Sequence, residues 1–261
     1  MTAKPPLLVF TDLDGTLIDH DSYQWDAAQP ALRRLHDIGA GVVLASSKTA
    51  VEIGTLRDEM GLRHWPAIVE NGAGLLPANS APTGSASSYD ALRDVLAKLP
   101  GALRDGFHGF GDMSVTGVAD ITGLPIEAAK RAKMRQFSEP GLWQGDAEAR
   151  RDFLAALADH GVTGREGGRF LTLSFGNTKA DQIDALIAKY HPTQTLSLGD
   201  APNDVEMLQA TDHGVIVANP HRPPLPPIKG EAEGKITRTN LPGPTGWNQA
   251  VLDHVNALTL T

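Results

Sequence analysis

The feature that most limits how this chain can fold is a short apolar run that recurs, the first two occurrences each followed by a polar turn and a helical pattern. Leu7-Leu8-Val9-Phe10-Thr11 is the first such run and Val42-Val43-Leu44-Ala45 the second. Ala67-Ile68-Val69 is a third and Gly214-Val215-Ile216-Val217-Ala218 a late one, and Thr195-Leu196-Ser197-Leu198 reads as a further strand. Runs this short and continuous suit strands buried on both faces, as parallel strands are; a half-exposed strand would alternate. Between the first two runs, Pro30 lies near the first turn of a helix with apolar Ala31, Leu32, Leu35 and Ile38, ended by Gly39 and Gly41. A second helix, 48–60, stops at Gly61. This alternation predicts an α/β protein with a parallel sheet.

The alternation is then interrupted. Residues 77–88 are rich in Pro, Ala, Ser and Gly and read as a turn-rich linker. From 89 to about 176, helical stretches at 89–99, 125–135 and 146–160 mix with 169–174, which alternates as a half-exposed strand does. This is an inserted α+β unit. The chain therefore divides into 1–82, 83–176 and 177–261, with the first and last parts forming one domain. Helices are expected at 179–190, 203–210 and 247–258, and the proline- and glycine-rich stretch 219–246 as a long loop over the sheet.

Composition removes several function classes. No run approaches the roughly 18 apolar residues of a membrane span. The apolar segment near the start is about half the length of a signal-peptide core, so the expectation is a cytoplasmic protein. The chain has no cysteine, which excludes disulfides, thiolate catalysis and cysteine–zinc sites. Its formal net charge of −8 argues against nucleic-acid binding and requires local positive charge for any anionic substrate. The oligomeric state is left open.

The chemistry begins at Asp12-Leu13-Asp14-Gly15-Thr16, directly after the first strand. Residues i and i+2 of an extended segment point the same way, so both carboxylates face one space. That space lies at the carboxyl end of a parallel strand, where open α/β sheets bind ligands. Two adjacent carboxylates repel unless a cation lies between them or a proton is shared. For an isolated Asp-x-Asp a solvated turn is the better account, but three further features accompany this one. Ser46-Ser47-Lys48-Thr49 follows the second strand, and hydroxyls leading into a helix start can hold phosphate oxygens, although alone they read as an ordinary N-cap. Lys179 opens a later helix; alone it reads as a solvated side chain. Gly199-Asp200-Ala201-Pro202-Asn203-Asp204 follows another buried strand, where a turn and an N-cap explain one acid but not two acids and an asparagine.

In this order and at these strand ends, the four pieces resemble the four motifs of the haloacid dehalogenase superfamily. The resemblance implies a Rossmann-like parallel-sheet core with an inserted α+β cap, acting as a magnesium-dependent phosphomonoesterase. Under it, Asp12 attacks phosphorus and takes the phosphoryl group; a carboxylate is ionised at neutral pH and needs no activating base. Asp14 protonates the leaving alkoxide and then deprotonates the hydrolytic water. Ser46 and Lys179 hold and neutralise the transferring oxygens. Mg2+ is held by the Asp12 carboxylate, the Asp14 carbonyl and Asp200, with Asn203 and Asp204 completing or orienting that shell.

The insertion point and the Glu70-Asn71-Gly72 turn resemble the Cof-like type, whose cap selects the substrate. Several stretches are similar to a narrower group, the mannosyl-3-phosphoglycerate phosphatases: residues 12–23, Ser46-Ser47-Lys48-Thr49, Phe137-Ser138-Glu139-Pro140, Gly167-Gly168-Arg169-Phe170 and Gly243-Pro244-Thr245-Gly246-Trp247. The partner so implied is a small phosphorylated sugar-glycerate. Ser47, Lys48, Glu70 and Asn71 are candidates to line its site. Its carboxylate needs an extra cation, for which Arg135 and Arg169 are candidates, and its sugar needs polar groups such as Ser138 and Glu139. Arg135 reads as well as an exposed helix charge. Glucosyl-3-phosphoglycerate, simple sugar phosphates and a mutase reaction stay open. So does a phosphometabolite-binding regulatory protein, although intact Asp12, Asp14, Lys179 and Asp200 argue against a non-enzyme. No phosphate-loop, dinucleotide or zinc motif is present.

Overall fold

The computed structural model describes residues 4–82, 85–167 and 169–258. Gly168 of the glycine-arginine stretch, Thr83 and Gly84 of the linker, and the first and last three residues lie outside the described residues. The first part contains β1 (Leu7–Thr11), α1 (Gln29–Asp37), β2 (Gly41–Ala45), α2 (Ala50–Glu59), β3 (Ala67–Val69) and β4 (Gly74–Leu76). The middle contains α3 (Ser87–Lys98), α4 (Gly101–Arg104), β5 (Phe107–Gly109), α5 (Val115–Thr122), α6 (Ile126–Ala132), β6 (Ser138–Trp143), α7 (Ala147–Ala158), β7 (Thr163–Gly167) and β8 (Phe170–Ser174). The last part contains α8 (Lys179–Tyr190), β9 (Gln194–Gly199), α9 (Val205–Ala210), β10 (His213–Ala218), β11 (Ile236–Pro242) and α10 (Gly243–Leu258).

Seven strands form one sheet in the order β11-β10-β9-β1-β2-β3-β4. All its neighbours are parallel except β3 and β4, which form an antiparallel hairpin at one edge. β1 lies in the middle and is buried throughout. Its alternation sorts the core into two layers. Leu7 and Val9 pack with Leu44, Leu198 and Trp247 on one face, while Leu8 and Phe10 pack with Val43, Ile183 and Leu186 on the other. Each such side chain contributes roughly 1.5–3 kcal/mol relative to exposure, which makes the central strands the stiffest part of the molecule and a fixed mount for the loops at their carboxyl ends.

The middle residues build a separate four-stranded antiparallel sheet, β5-β6-β8-β7. Its apolar side packs Phe107, Leu171 and Leu173 against Leu92 and Leu96 of α3 and Phe153 and Leu157 of α7. The expectation of a long loop at 219–246 needs correction. Residues 236–242 form β11, which extends the parallel sheet beside β10. Its residues are largely exposed, so the strand rests on backbone pairing and carries no apolar pattern to announce it.

Candidate active site

Both acidic motifs sit at the carboxyl ends of adjacent central strands. Asp12 follows β1, Asp200 follows β9, and the Asp12 amide donates to the Leu198 carbonyl at 2.9 Å, locking the two loops together. Behind Asp12, the Trp247 indole N–H donates to the Thr11 hydroxyl at 2.9 Å. The Gly-Pro-Thr-Gly-Trp stretch thus serves the site by bracing the end of β1.

Lys179 is the hub. It is the first residue of α8, whose start is closed by a capping box between Thr178 and Asp181. Its buried ammonium donates to Asp12 Oδ1 at 3.0 Å and to Asp204 Oδ1 at 2.6 Å. The Glu70-Asn71-Gly72 turn presses on this helix start. A side chain at Gly72, where φ is +93°, would lie 2.1 Å from the Thr178 carbonyl carbon, so only glycine lets the turn come so close. The other oxygen of Asp204 accepts the amides of Asp200 and Ala201 at 3.2 and 3.1 Å. Asp204 therefore shapes the motif loop and holds Lys179 at once.

Asp200 accepts from the Thr16 hydroxyl at 2.9 Å and from the Asn219 amide at 2.8 Å, and pairs with Arg222 at 3.2 Å. Gly15 makes room for this: with φ +83°, any side chain there would collide with the Asn219 amide. Thr16, Asn219 and Arg222 were not singled out in the sequence. The last two belong to the proline-rich stretch, which so acquires a place at the site.

Oxygens of Asp12, Asp200 and Asp204 lie within 4.8 Å of one another, and all three residues are buried. Burial and the neighbouring Asp204 charge push the Asp12 pKa well above the usual carboxylate value, against the pull of Lys179. Burial raises Asp200 too. Burial works against the charge of Lys179, yet Asp12 and Asp204 outweigh it and hold the ammonium above its ordinary value. Three crowded carboxylates facing two cations, Lys179 and Arg222, remain under-neutralised, and an all-oxygen donor set suits a hard divalent ion. The described residues thus include a buried acidic cluster able to hold one.

Asp14 leaves this cluster. Its carboxylate pairs with Lys48 at 2.8 Å, and its Oδ1 is buried without a hydrogen-bond partner. Burial opposes the Lys48 charge, but the adjacent Asp14 raises its pKa. Ser46 is buried beside them, its hydroxyl accepting the Lys48 amide at 3.3 Å, while Ser47 is exposed and contributes its carbonyl to Arg135. Asn203 is exposed and donates to Asn71 at 3.3 Å.

The candidate residues of the inserted unit divide. Glu70 is fully buried and accepts the amides of Gln136, Phe137 and Ser138 and the Ser138 hydroxyl, and pairs with Arg135 at 3.2 Å. Arg135 also donates to the Ser138 hydroxyl at 2.7 Å. Glu70, Arg135 and Ser138 therefore make a buried clasp between the two units. Glu139 points the other way, into the inserted unit, where it accepts from Tyr89, Arg93 and the Gly111 amide. Arg169 is exposed, resting on the Thr122 carbonyl and the Phe170 ring. A cleft of about 360 Å3 between the units is lined by Glu70, Asn71, Lys179, Asn203 and Glu206 on one side and by Arg165, Thr172 and Ser174 on the other.

A parallel α/β core that carries buried carboxylates and a lysine at the ends of its central strands has the frame of a phosphoryl-transfer hydrolase. The model of the haloacid dehalogenase-like hydrolases matches residues 9–89 and 147–224. A glucosyl-3-phosphoglycerate/mannosyl-3-phosphoglycerate phosphatase from Methanococcoides burtonii is 33% identical over 270 residues, 94% of this chain and 96% of that protein. The sucrose-phosphatase of Synechocystis sp. PCC6803 superposes with a TM-score of 0.63 at 16% identity, over 95% of this chain and 97% of that one. A phosphatase from Bacteroides thetaiotaomicron gives 0.64 at 19%, over 95% and 94%. This chain belongs to the haloacid dehalogenase-like hydrolase family. Its solved neighbours share the fold, and the Methanococcoides phosphatase is similar in sequence along nearly its whole length.

Proposed function

We propose that this protein is a magnesium-dependent phosphomonoesterase acting on mannosyl-3-phosphoglycerate, with glucosyl-3-phosphoglycerate as the second substrate to weigh. The observation that carries the reaction is the Lys179 bridge between Asp12 and Asp204 inside a buried carboxylate cluster. The substrate follows from the similarity to the Methanococcoides enzyme over almost the full chain. The reading also makes residues 83–176 a substrate-selecting cap over a core of 1–82 and 177–261, and places the enzyme in the cytoplasm, in line with its cysteine-free composition.

In this mechanism Asp12 supplies the attacking oxygen, and Lys179 favours its charged form against the rise in pKa that burial and Asp204 impose. The phosphorus–alkoxide bond breaks as the Asp12–phosphorus bond forms, and the alkoxide takes a proton from Asp14. The partnerless buried Oδ1 of Asp14 is a position where that proton can be held. Asp14 then receives a proton from the water that releases phosphate and restores Asp12. Ser46 and Lys179 donate to the transferring oxygens as charge develops. Asp12, Asp200 and the Asp14 carbonyl would hold Mg2+, which would supply charge neutralisation to the phosphoryl group, with Asp204 and Asn203 completing or orienting that shell.

The test is phosphate release from mannosyl-3-phosphoglycerate, glucosyl-3-phosphoglycerate, mannose 6-phosphate and sucrose 6-phosphate, each with magnesium and with EDTA. The expected result is a magnesium-dependent preference for the two glycerate esters and loss of turnover in Asp12→Asn. Equal hydrolysis of the simple sugar phosphates would overturn the substrate, and an active Asp12→Asn the nucleophile.

A further inference from the structure

The cleft contains one strongly basic side chain that neither the sequence motifs nor the mechanism above uses. Arg165 lies on β7 of the inserted unit and reaches across to Glu206 on α9 of the core, at 3.2 Å. The two side chains are 53% and 54% exposed, and both line the same cleft as Lys179. Four other cations at or beside the site are committed. Lys179 holds Asp12 and Asp204, Lys48 holds Asp14, Arg222 holds Asp200, and Arg135 is buried against Glu70 and Ser138. Arg169, the other arginine expected to bind, sits away from the cleft on the Thr122 carbonyl.

The geometry points to Arg165 as the subsite for the second anionic group of the substrate, a carboxylate carried some distance from the phosphate. This inference rests on the proposed function and names the residue that gives it selectivity. An exposed ion pair holds only weakly, because water screens it and two long side chains must be ordered to make it. A carboxylate brought into the cleft and partly desolvated competes well for the planar guanidinium fork. Glu206 then has a definite part. Its charge repels an anion that finds Arg165 missing, and it holds the arginine across the cleft until an anion takes its place. The exchange also trades a contact between cap and core for one bridged by substrate, so the second anion helps the cleft to close.

The test compares mannosyl-3-phosphoglycerate with its carboxamide analogue, which keeps the shape and removes the charge. Mannose 6-phosphate serves as a control. Wild type is expected to favour the acid. Arg165→Ala should raise KM for the acid about 30-fold with kcat nearly unchanged, and leave KM for the amide and for mannose 6-phosphate within twofold. Arg165→Lys should restore part of the preference, since it returns the charge without the fork, and Glu206→Gln should lower KM for the acid. Both arginine variants are checked for an unchanged thermal midpoint. If wild type shows no preference for the acid, the substrate assignment fails and this inference with it. If wild type prefers the acid and Arg165→Ala keeps that preference, or loses activity equally on all three compounds, the Arg165 assignment alone is overturned.

Discussion

Asp12 is buried among like charges, and Lys179 is what makes it usable as a carboxylate. Its pKa is driven up by burial and by Asp204, and the Lys179 ammonium at 3.0 Å is the group opposing that rise. Replacing Lys179 with Met removes the opposing charge, so Asp12 holds its proton to higher pH. The acid limb of the pH–rate profile is expected to move upward, with kcat at neutral pH falling by about 10³. Glu70 gives a second prediction at this scale. It is the only carboxylate paired with Arg135 among the described residues, and both are buried. Glu70→Gln leaves that guanidinium uncompensated. A loss of about 3 kcal/mol is expected in urea unfolding, with Arg135→Met in the same background recovering part of it.

Two elements hold the site in place from behind. Strand β1 is braced through the Trp247 indole N–H on Thr11, and α8 is started by the Thr178 cap that sets Lys179 into the cluster. Trp247→Phe keeps most of the packing and removes the donor to the Thr11 hydroxyl, which still donates to the Asp12 carbonyl, an expected cost of about 1 kcal/mol by urea unfolding. Within the inserted unit, β5 and the turn after it are tied by Asp112. Against a burial cost, hydrogen bonds from Arg93 and Arg104 hold its pKa down to about 2. Because the folded value is depressed, its stabilisation is present above the unfolded carboxylate pKa and is lost as pH falls through the folded one. The gap in urea midpoint between wild type and Asp112→Asn should therefore be full at pH 6 or so and close between about pH 4 and about pH 2.

At the scale of the molecule, two sheets of different type meet across a cleft, and contacts of two kinds join them. The Glu70–Arg135–Ser138 clasp is buried and fully bonded, whereas Arg165–Glu206 is open to water. The first serves as the fixed side of the join and the second as the side that yields. The acidic cluster adds a global effect, since a divalent cation binds the folded state and relieves carboxylate repulsion that the unfolded chain does not have. Magnesium is expected to raise the thermal midpoint of wild type, and Asp200→Asn to remove most of that rise in differential scanning calorimetry.

The core was legible because its strands are buried on both faces. β1, β2, β3 and β10 announce themselves as near-continuous apolar runs, whereas β9 alternates Leu with Thr and Ser and is nonetheless buried along most of its length. Order along the chain, strand ends and the resemblance they carry to the four motifs nominated Asp12, Lys179, Asp200 and Asp204, which the fold brings together. The inserted unit gave weaker signals. β6 contains Pro140 and Gly141, and β11 is exposed along most of its length, so neither carries a periodicity that marks a strand. Which way each side chain faces there depends on strand pairing. Pairing of β6 between β5 and β8 turns Glu139 inward to Tyr89 and Arg93. On the β7–β8 hairpin, Arg165 faces the cleft while Arg169 near the turn rests on Thr122. The proline-rich stretch has no periodicity at all, and only the folded path of the chain carries Asn219 and Arg222 to Asp200. The sequence alone determined the parallel core, because burial on both faces writes itself into residue type, while the candidate chemistry at its strand ends came from the resemblance of the four motifs. Tertiary structure decided which cations remain free to meet a substrate, because partners distant along the chain claim the others.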